Sequence, residues 1–340
     1  MLPETKAVPK ELLPVGGKPA IQWALDEASK AGIDRFVVVS SRHKPAIAAY
    51  LLGTNDASDP FERRARPDQA DLSNGNIEIV YQPFALGLGD AVRTARSVVG
   101  SEPFALLLPD EILLGGARLL RAMIDDFTRT GRSGVSLLQV DRADIGSYGC
   151  AAVEPIPENL ERFFVTACVE KPQPFKAPSS FALSGRYVLG PEVLELLDSL
   201  EPDDHGEVQI TEALDRAARA TALVGFEVRK EDGRVDIGSW PGWLEANIRA
   251  FAVTGRDELV TTALVFESAL TPSVAASSPK STRRASERWA CPILRRSRAI
   301  PREMPTVALD GVVAGARYVQ RGRCPRASRR TRAGLIRHLR

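Results

Sequence analysis

Acidic side chains stand where an open α/β sheet binds its ligands, at the carboxyl end of a predicted strand. Asp110 and Glu111 follow the apolar run at residues 104–108, separated from it only by Pro109. Two adjacent carboxylates at the end of a buried strand are costly unless they are solvated, paired or bound to a metal. A plain Pro-Asp turn explains the same residues without a ligand. On position alone, both interpretations stay open.

A glutamine and two glycines follow another predicted strand. Gln82 comes directly after residues 77–81, and Gly87 and Gly89 stand just before a predicted helix. Glycines at alternate positions let a backbone approach a flat or anionic ligand. The third glycine of a dinucleotide-binding fingerprint is missing, and an ordinary strand-to-helix turn has the same composition. This segment is therefore a weak candidate for a nucleotide site.

Lysines and further acids complete the set of candidate ligands. Lys10 and Glu11 lie in a proline-containing stretch without helical periodicity, which is typical of a phosphate-binding arm or of a solvated loop. Glu170 and Lys171 follow a predicted strand, and on extended chain their side chains point to opposite faces. Asp236 interrupts an apolar strand end. None of these residues is specific evidence of a site by itself.

Helical and strand patterns alternate over the first part of the chain, which predicts a parallel sheet covered on both faces. Residues 148–188 have a more β-like pattern, and residues 55–75 form a polar stretch that predicts a long surface excursion. Helices are predicted at residues 19–31, 45–52, 90–99, 116–129, 191–199, 209–220 and 241–253, and strands at 36–39, 77–81, 104–108, 134–140, 163–169, 185–189, 222–229 and 234–237.

The charge of the 340-residue chain is unevenly distributed. Its formal net charge is +2, but residues 271–340 carry 16 Arg and one Lys against three acidic residues, a net charge of +14. Residues 1–270 therefore carry −12. Ser, Pro and Arg dominate the basic tail without any periodicity, so we expect residues 271–340 to be disordered and removable. Arg almost without Lys and few aromatics predict no specific nucleic-acid recognition.

Other function classes are excluded by what the sequence does not contain. No apolar stretch approaches a membrane span, and the opening residues have no signal-peptide pattern. The four cysteines lack CxxC or Cys-His spacing, which argues against a zinc site or a disulfide framework. We therefore expect a cytoplasmic protein with no membrane partner.

Taken in order, these segments resemble the bacterial UTP–glucose-1-phosphate uridylyltransferases, also called UDP-glucose pyrophosphorylases. Several motifs in sequence are far more specific than any one of them. The resemblance covers residues 1–255 and is carried by the opening stretch at residues 1–15, Lys18-Pro19, Gln82, Gly87-Leu88-Gly89, Leu108-Pro109-Asp110, Ser147-Tyr148-Gly149, Val169-Glu170-Lys171-Pro172, Gly185-Arg186-Tyr187-Val188-Leu189, Gly206-Glu207-Val208-Gln209-Ile210-Thr211 and Asp236-Ile237-Gly238-Ser239.

The resemblance implies an α/β fold: a Rossmann-like mixed sheet of the sugar nucleotidyltransferase type with a β-rich sugar-binding lobe. The nucleotidyltransferase domain would span residues 1–265. The implied reaction joins UTP and α-D-glucose 1-phosphate into UDP-glucose and pyrophosphate, with Mg²⁺ as the cofactor. The resemblance also implies a homo-oligomer.

The resemblance assigns roles to individual residues. It implies that Lys10, Asp110 and Lys171 are catalytic, with Lys10 on the triphosphate and Lys171 on the sugar phosphate. Asp110 and Asp236 would be the metal ligands. The implied nucleotide-binding residues are Lys10, Glu11, Gln82 and Gly87, and the implied sugar-phosphate-binding residues are Gly149, Glu170, Lys171 and Glu207.

The chain departs from the family pattern at its start. The family has a central strand and a Gly-x-Gly-Thr-Arg loop before the Leu-Pro-x-Thr-Lys segment, and here Leu2-Pro3 comes first. We therefore expect this strand and loop to be missing and the activity to be low. Two alternatives stay open: a catalytically impaired regulatory or interaction homologue, and a thymidylyltransferase acting on the same sugar phosphate.

Overall fold

The computed structural model describes residue 5 and residues 7–53, 76–157, 159–221, 223–255 and 312–315. Short 3₁₀ turns occur at Lys10–Leu12, Ile145–Ser147 and Lys230–Asp232. The helices are α1 (Ala20–Lys30), α2 (Pro45–Leu52), α3 (Leu88–Thr94), α4 (Arg96–Val99), α5 (Arg118–Thr130), α6 (Pro191–Asp198), α7 (Ile210–Thr221) and α8 (Trp240–Val253). The strands are β1 (Pro14–Val15), β2 (Lys18–Pro19), β3 (Phe36–Ser40), β4 (Ile77–Tyr81), β5 (Phe104–Leu107), β6 (Glu111–Leu113), β7 (Gly134–Gln139), β8 (Gly149–Ile156), β9 (Asn159–Glu170), β10 (Phe181–Leu189), β11 (Leu223–Glu227), β12 (Arg234–Asp236) and β13 (Val312–Gly315).

The central sheet is mixed. Within the described residues its strand order is β4-β3-β13-β5-β10-β7-β11-β9-β8. Of the pairs that these described strands form, β3–β4 and β7–β11 are parallel and the others are antiparallel. The parallel sheet predicted from alternation is wrong for most pairs: β10 lies antiparallel between β5 and β7, and β8 and β9 follow each other without a crossover helix and pair antiparallel. The mixed sheet implied by the resemblance is confirmed.

Both faces of the sheet are covered, as predicted. Val37 and Val39 of β3 pack into a core with α3, α6 and α7. Phe36 and Val38 point the other way, into a second core with α1 and α5. This alternation is the two-residue period of a strand buried on both sides. The predicted single helix at residues 90–99 is instead the pair α3 and α4, which meet at Ala95.

A smaller sheet brings two distant acidic segments together. In it, β6 and β12 pair antiparallel with Asp236 opposite Glu111. Helix α8 begins beside it because Ser239 accepts a hydrogen bond from the backbone N–H of Gly242, as an N-cap does. The apolar side of α8 packs on Ile112, Val235 and other residues of a third core.

One strand of the central sheet, β13, comes from the basic tail. β13 pairs antiparallel with β3, Val313 opposite Val37, and with β5, Val313 opposite Leu106. For these four residues the prediction of a tail without regular structure is wrong. The physical reason is that β3 and β5 present backbone donors and acceptors on both sides of the slot that β13 fills.

Some predictions about the fold apply only to residues outside the described ranges. They concern the surface excursion at residues 55–75, the domain end near residue 265 and the rest of the tail. Within the described ranges, no helix has the length and apolar character needed to cross a bilayer.

Candidate functional site

The predicted site residues follow the strands that the sheet aligns. Asp110 comes after β5, Gln82 after β4, and Lys171 after β9. Asp236 ends β12 in the smaller sheet. The residues form two groups that differ in chemistry. We call Lys10, Asp110, Glu111, Arg234 and Asp236 the charged cluster, and Gln82, Gly87, Gly149, Glu170, Glu207 and Thr211 the glycine cluster.

Lys10 and Asp110 form the first ion pair of the charged cluster. The Nζ of Lys10 lies 2.9 Å from Oδ2 of Asp110, and their side chains are 17% and 12% exposed. The backbone carbonyl of Asp110 accepts a hydrogen bond of 2.9 Å from the N–H of Ile237. The Asp110 turn is therefore joined directly to the segment that carries Asp236.

Arg234 links the other two carboxylates of the cluster. Its Nε lies 2.5 Å from Oε2 of Glu111, and its Nη2 lies 3.2 Å from Oδ2 of Asp236. Burial disfavours the charged guanidinium, but the two carboxylates outweigh burial and raise the pKa of Arg234. Burial also raises the pKa of neighbouring Tyr148, against the opposing charge of Arg234. Arg234 therefore stays protonated between the two carboxylates.

The donor chemistry of the cluster fits a hard divalent cation. Asp110 and Asp236 offer carboxylate oxygens on joined segments, and Oδ1 of Asp236 also accepts from the N–H of Gly238 at 2.7 Å. Among the residues that the structure describes, no group of three or more His, Cys, Asp or Glu is arranged to hold a metal ion. A cation held by these two carboxylates would need phosphate oxygens or water as its remaining ligands.

Gln82 and Gly87 form one half of the glycine cluster. The side chain of Gln82 is buried, and its Nε2 donates to Oδ2 of Asp90 at 2.8 Å and to the carbonyl of Gly87 at 3.3 Å. Because both amide hydrogens have partners, the Oε1 carbonyl is the part of Gln82 suited to a ligand. Gln82 can therefore accept a hydrogen bond from a bound group.

Gly87 is required both by conformation and by space. Its φ is +91°, and a Cβ there would lie 2.8 Å from the carbonyl oxygen of Val208 and 3.1 Å from Cβ of Glu207. The N–H of Gly89 donates to the same Val208 carbonyl at 2.9 Å. The loop before α3 is therefore held against the segment that carries Glu207.

Gly149, Glu170 and Thr211 form the other half of the glycine cluster. The hydroxyl of Thr211 donates to Oε2 of Glu170 at 2.6 Å. A Cβ at Gly149 would lie 3.0 Å from that hydroxyl and 3.2 Å from that carboxylate oxygen. Oε2 of Glu207, beside Gly87, accepts from Gln209 at 2.9 Å. Backbone and carboxylates thus approach each other without an intervening side chain.

Lys171 has an unusual backbone conformation for a residue with a side chain. Its φ is +40°, and its N–H donates to the carbonyl of Tyr148 at 3.0 Å. Its ammonium lies 3.4 Å from Oε1 of Glu170, and its side chain is 46% exposed. Backbone strain of this kind is concentrated at functional sites.

The contacts join the predicted residues in separate groups, which are Lys10 with Asp110, Gln82 and Glu207 with Gly87, and Gly149 and Lys171 with Glu170, and they leave Glu11 apart. Glu11 is buried and turned toward Lys44, whose Nζ lies 3.3 Å from Oε1, while Oε2 has no hydrogen-bond partner among the described residues. Sequence reasoning assigned no role to Thr211, Arg234 or Arg186. Thr211 and Arg186 stand in the quoted motifs, and Arg186 is the one charged residue in the otherwise apolar and small β10, which is the signal that could have identified it.

Comparisons with known proteins give a consistent result. A family model described as nucleotidyl transferase matches residues 1–251. The UTP–glucose-1-phosphate uridylyltransferase of Staphylococcus epidermidis is 34% identical over 252 residues, 73% of this chain and 86% of that relative. A solved UDP-glucose pyrophosphorylase complexed with UDP-glucose shares 30% identity with a TM-score of 0.66, across 74% of this chain and 94% of that chain. A UTP-bound UGPase from Acinetobacter baumannii shares 28% identity with a TM-score of 0.66, across 78% of this chain and 94% of that chain.

Proposed function

This chain belongs to the nucleotidyl transferase family, among the UTP–glucose-1-phosphate uridylyltransferases, and we propose that it converts UTP and α-D-glucose 1-phosphate into UDP-glucose and pyrophosphate. The observation that carries the proposal is that the predicted residues form two clusters of different chemistry at the ends of strands. One is charged and suits phosphates, and the other combines glycines with hydrogen-bonding groups and suits a base and a sugar.

The proposed chemistry needs no covalent protein intermediate. A phosphate oxygen of glucose 1-phosphate attacks the α-phosphorus of UTP and forms the new O–P bond. The bond from that phosphorus to the oxygen bridging to the β-phosphate breaks, and pyrophosphate leaves. Lys10 would neutralise the triphosphate, and Lys171 would hold the sugar phosphate. Catalysis then rests on orientation and charge neutralisation.

Asp110 and Asp236 are the residues that would hold Mg²⁺. When bound, the ion would draw charge from the phosphate oxygens as a Lewis acid. The ammonium of Lys10 can leave the carboxylate of Asp110 and bind phosphate oxygens instead, because the lysine side chain is flexible and 17% exposed. The protein therefore holds these opposite charges in place until the substrate phosphates bind.

The glycine cluster would bind the base and the sugar. The Oε1 of Gln82 would accept the N3–H of uracil, and the backbone at Gly87 would approach the ring. Gly149, Glu170 and Glu207 would bind glucose hydroxyls, and Glu11 would lie on the nucleotide side. Thymine carries the same N3–H, so Gln82 alone does not select UTP over dTTP.

The test is a product assay on the purified chain. With UTP, glucose 1-phosphate and Mg²⁺, we expect UDP-glucose and pyrophosphate in equal amounts, measured by anion-exchange chromatography. A higher kcat/KM with dTTP would favour the thymidylyltransferase alternative. UDP-glucose binding by calorimetry without turnover would favour the impaired homologue. Absence of both would contradict the proposed function.

We also propose a homo-oligomer, on the family resemblance alone. Light scattering after size-exclusion chromatography measures the mass directly, against 36.9 kDa for one chain. A mass of one chain across the working concentration range would contradict this part of the proposal.

A further inference from the structure

Arg186 is buried in the middle of β10, with 1% of its surface exposed. Its partner is Glu27 of α1, which is 3% exposed. The Nε of Arg186 donates to Oε1 and Oε2 of Glu27 at 3.0 and 3.1 Å, and Nη2 donates to Oε2 at 2.8 Å. A bidentate pair of this kind fixes the plane of the guanidinium.

The remaining donors of Arg186 reach the turn that presents Asp110. Nη1 donates to the carbonyl of Leu108 at 3.1 Å, and Nη2 donates to the carbonyl of Glu111 at 2.8 Å. These two carbonyls stand on either side of the Pro109-Asp110 step. Nη1 also donates to the carbonyl of Gly185 at 2.9 Å, which itself accepts the N–H of Leu108. The guanidinium therefore holds the turn from both ends.

Glu27 connects the same guanidinium to the segment of Lys10. The N–H of Ala20, the first residue of α1, donates to the carbonyl of Leu13 at 3.0 Å, just after the 3₁₀ turn Lys10–Leu12. The pair Arg186–Glu27 thus joins the two parts of the chain whose side chains meet as Lys10 and Asp110. Neither Arg186 nor Glu27 needs to touch a substrate for this effect.

We propose that Arg186, oriented by Glu27, is a positioning residue that fixes the Leu108–Glu111 turn so that Asp110 is aimed at a divalent cation. This inference rests on the proposed function for the role of the cation. Groups behind a metal ligand typically change metal affinity or activity by about 10- to 100-fold when they are removed. The expected effect is therefore on cation binding rather than on substrate recognition.

The experiment compares two ways of removing the support. Arg186→Lys keeps a positive charge against Glu27 but has too few donors to hold both carbonyls. The double variant Arg186→Met with Glu27→Met removes the pair without leaving a buried charge unpaired, so it is expected to fold. Arg118→Lys is the control: Nη2 of Arg118 also donates to both oxygens of a buried carboxylate, that of Asp232, away from the Leu108–Glu111 turn.

The primary measurement is the binding of Mn²⁺ alone, followed by the EPR signal of the free ion. Both test variants should keep the near-UV circular dichroism of a folded chain and raise the Kd for Mn²⁺ about tenfold or more. In the product assay, kcat should fall while the KM for UTP changes little. Arg118→Lys should keep the unmodified affinity for Mn²⁺.

Either of two results overturns the inference. One is a folded test variant with an unchanged Kd for Mn²⁺, or an unmodified chain that binds no Mn²⁺. The other is loss of folding in both test variants, which would assign the pair to stability alone. If the unmodified chain binds Mn²⁺ but makes no UDP-glucose, the proposed function fails while the positioning role of Arg186 is still measured.

Discussion

The charged cluster and the glycine cluster hold their groups by different forces. In the charged cluster, Lys10 and Arg234 already form ion pairs with Asp110, Glu111 and Asp236, so a phosphate or a cation enters by exchanging partners. In the glycine cluster, Gly87 and Gly149 leave space that no Cβ can share. A change of charge should therefore disturb the charged cluster, whereas a change of shape or of one hydrogen bond should disturb the glycine cluster.

Asp110→Asn is the largest test of the charged cluster. The amide keeps the shape but loses the charge that a hard cation requires, so we expect kcat to fall by at least about 10²–10³-fold. The product assay measures this change, and circular dichroism should show an unchanged fold. Asp125→Asn on the exposed face of α5 is the matched control and should keep full activity. Full activity in Asp110→Asn would remove Asp110 from the metal site.

The tail strand tests whether the two clusters share one support. β13 pairs with β5, which leads to Asp110, and with β3, whose Ser40 carbonyl accepts the N–H of Gln82 at 2.8 Å. Deleting residues 312–340 should therefore disturb both clusters together. A lost central strand should cost about 2 kcal/mol or more of unfolding free energy, which lowers Tm by roughly 4–8 °C.

Deletion of residues 316–340 is the control for that experiment, because it removes all of the same basic charge and leaves β13 in place. Calorimetry should show a Tm close to that of the full chain. An equal Tm for the two truncated chains would show that β13 adds no stability and that the tail is removable, as its sequence predicts. A selective loss of one ligand would show that the clusters are supported separately.

The sequence predicted the elements that depend on local patterns. The bounds of α2 and β4 are as predicted, because Pro45 starts α2 and an apolar run defines β4. The break at Ala95 between α3 and α4 was not predicted, because the apolar pattern continues through it. Most members of the two clusters were predicted from ordered motifs rather than from the periodicity of any one element, but Glu111 and Arg234 stand outside those motifs.

Long-range partners were beyond sequence reasoning. Arg186 and Glu27 are separated by 159 positions, and nothing local to either residue names the other. The strand β13 has only four residues, and its place between β3 and β5 depends on the slot rather than on its own propensity. The roles assigned to individual site residues stay predictions until they are tested by substitution.

Lys171→Ala tests the boundary between the two clusters. The ammonium is proposed to face the phosphate of glucose 1-phosphate, and a charge-assisted bond contributes about 1.5–3 kcal/mol. Because the side chain is 46% exposed, we expect the low end, about a tenfold rise in the KM for glucose 1-phosphate with little change for UTP. Lys176→Ala, an exposed lysine nearby, should change neither constant. An equal rise in both constants would place Lys171 elsewhere.

Thr211→Val is the smallest test and concerns the glycine cluster alone. Valine keeps the shape of threonine but removes the hydroxyl that donates to Oε2 of Glu170 at 2.6 Å. Glu170 then loses a fixed orientation, and a hydrogen bond to a charged group is worth about 1.5–3 kcal/mol in full. Bound sugar and water can replace part of that bond, so we expect roughly a three- to tenfold rise in the KM for glucose 1-phosphate.

The response to Mg²⁺ should stay unchanged, because Thr211 contacts no residue of the charged cluster through this hydroxyl. Thr128→Val removes a hydroxyl that bonds only the backbone of α5, and it should leave the KM unchanged. A shift in the Mg²⁺ response of Thr211→Val would show that the two clusters act as one unit.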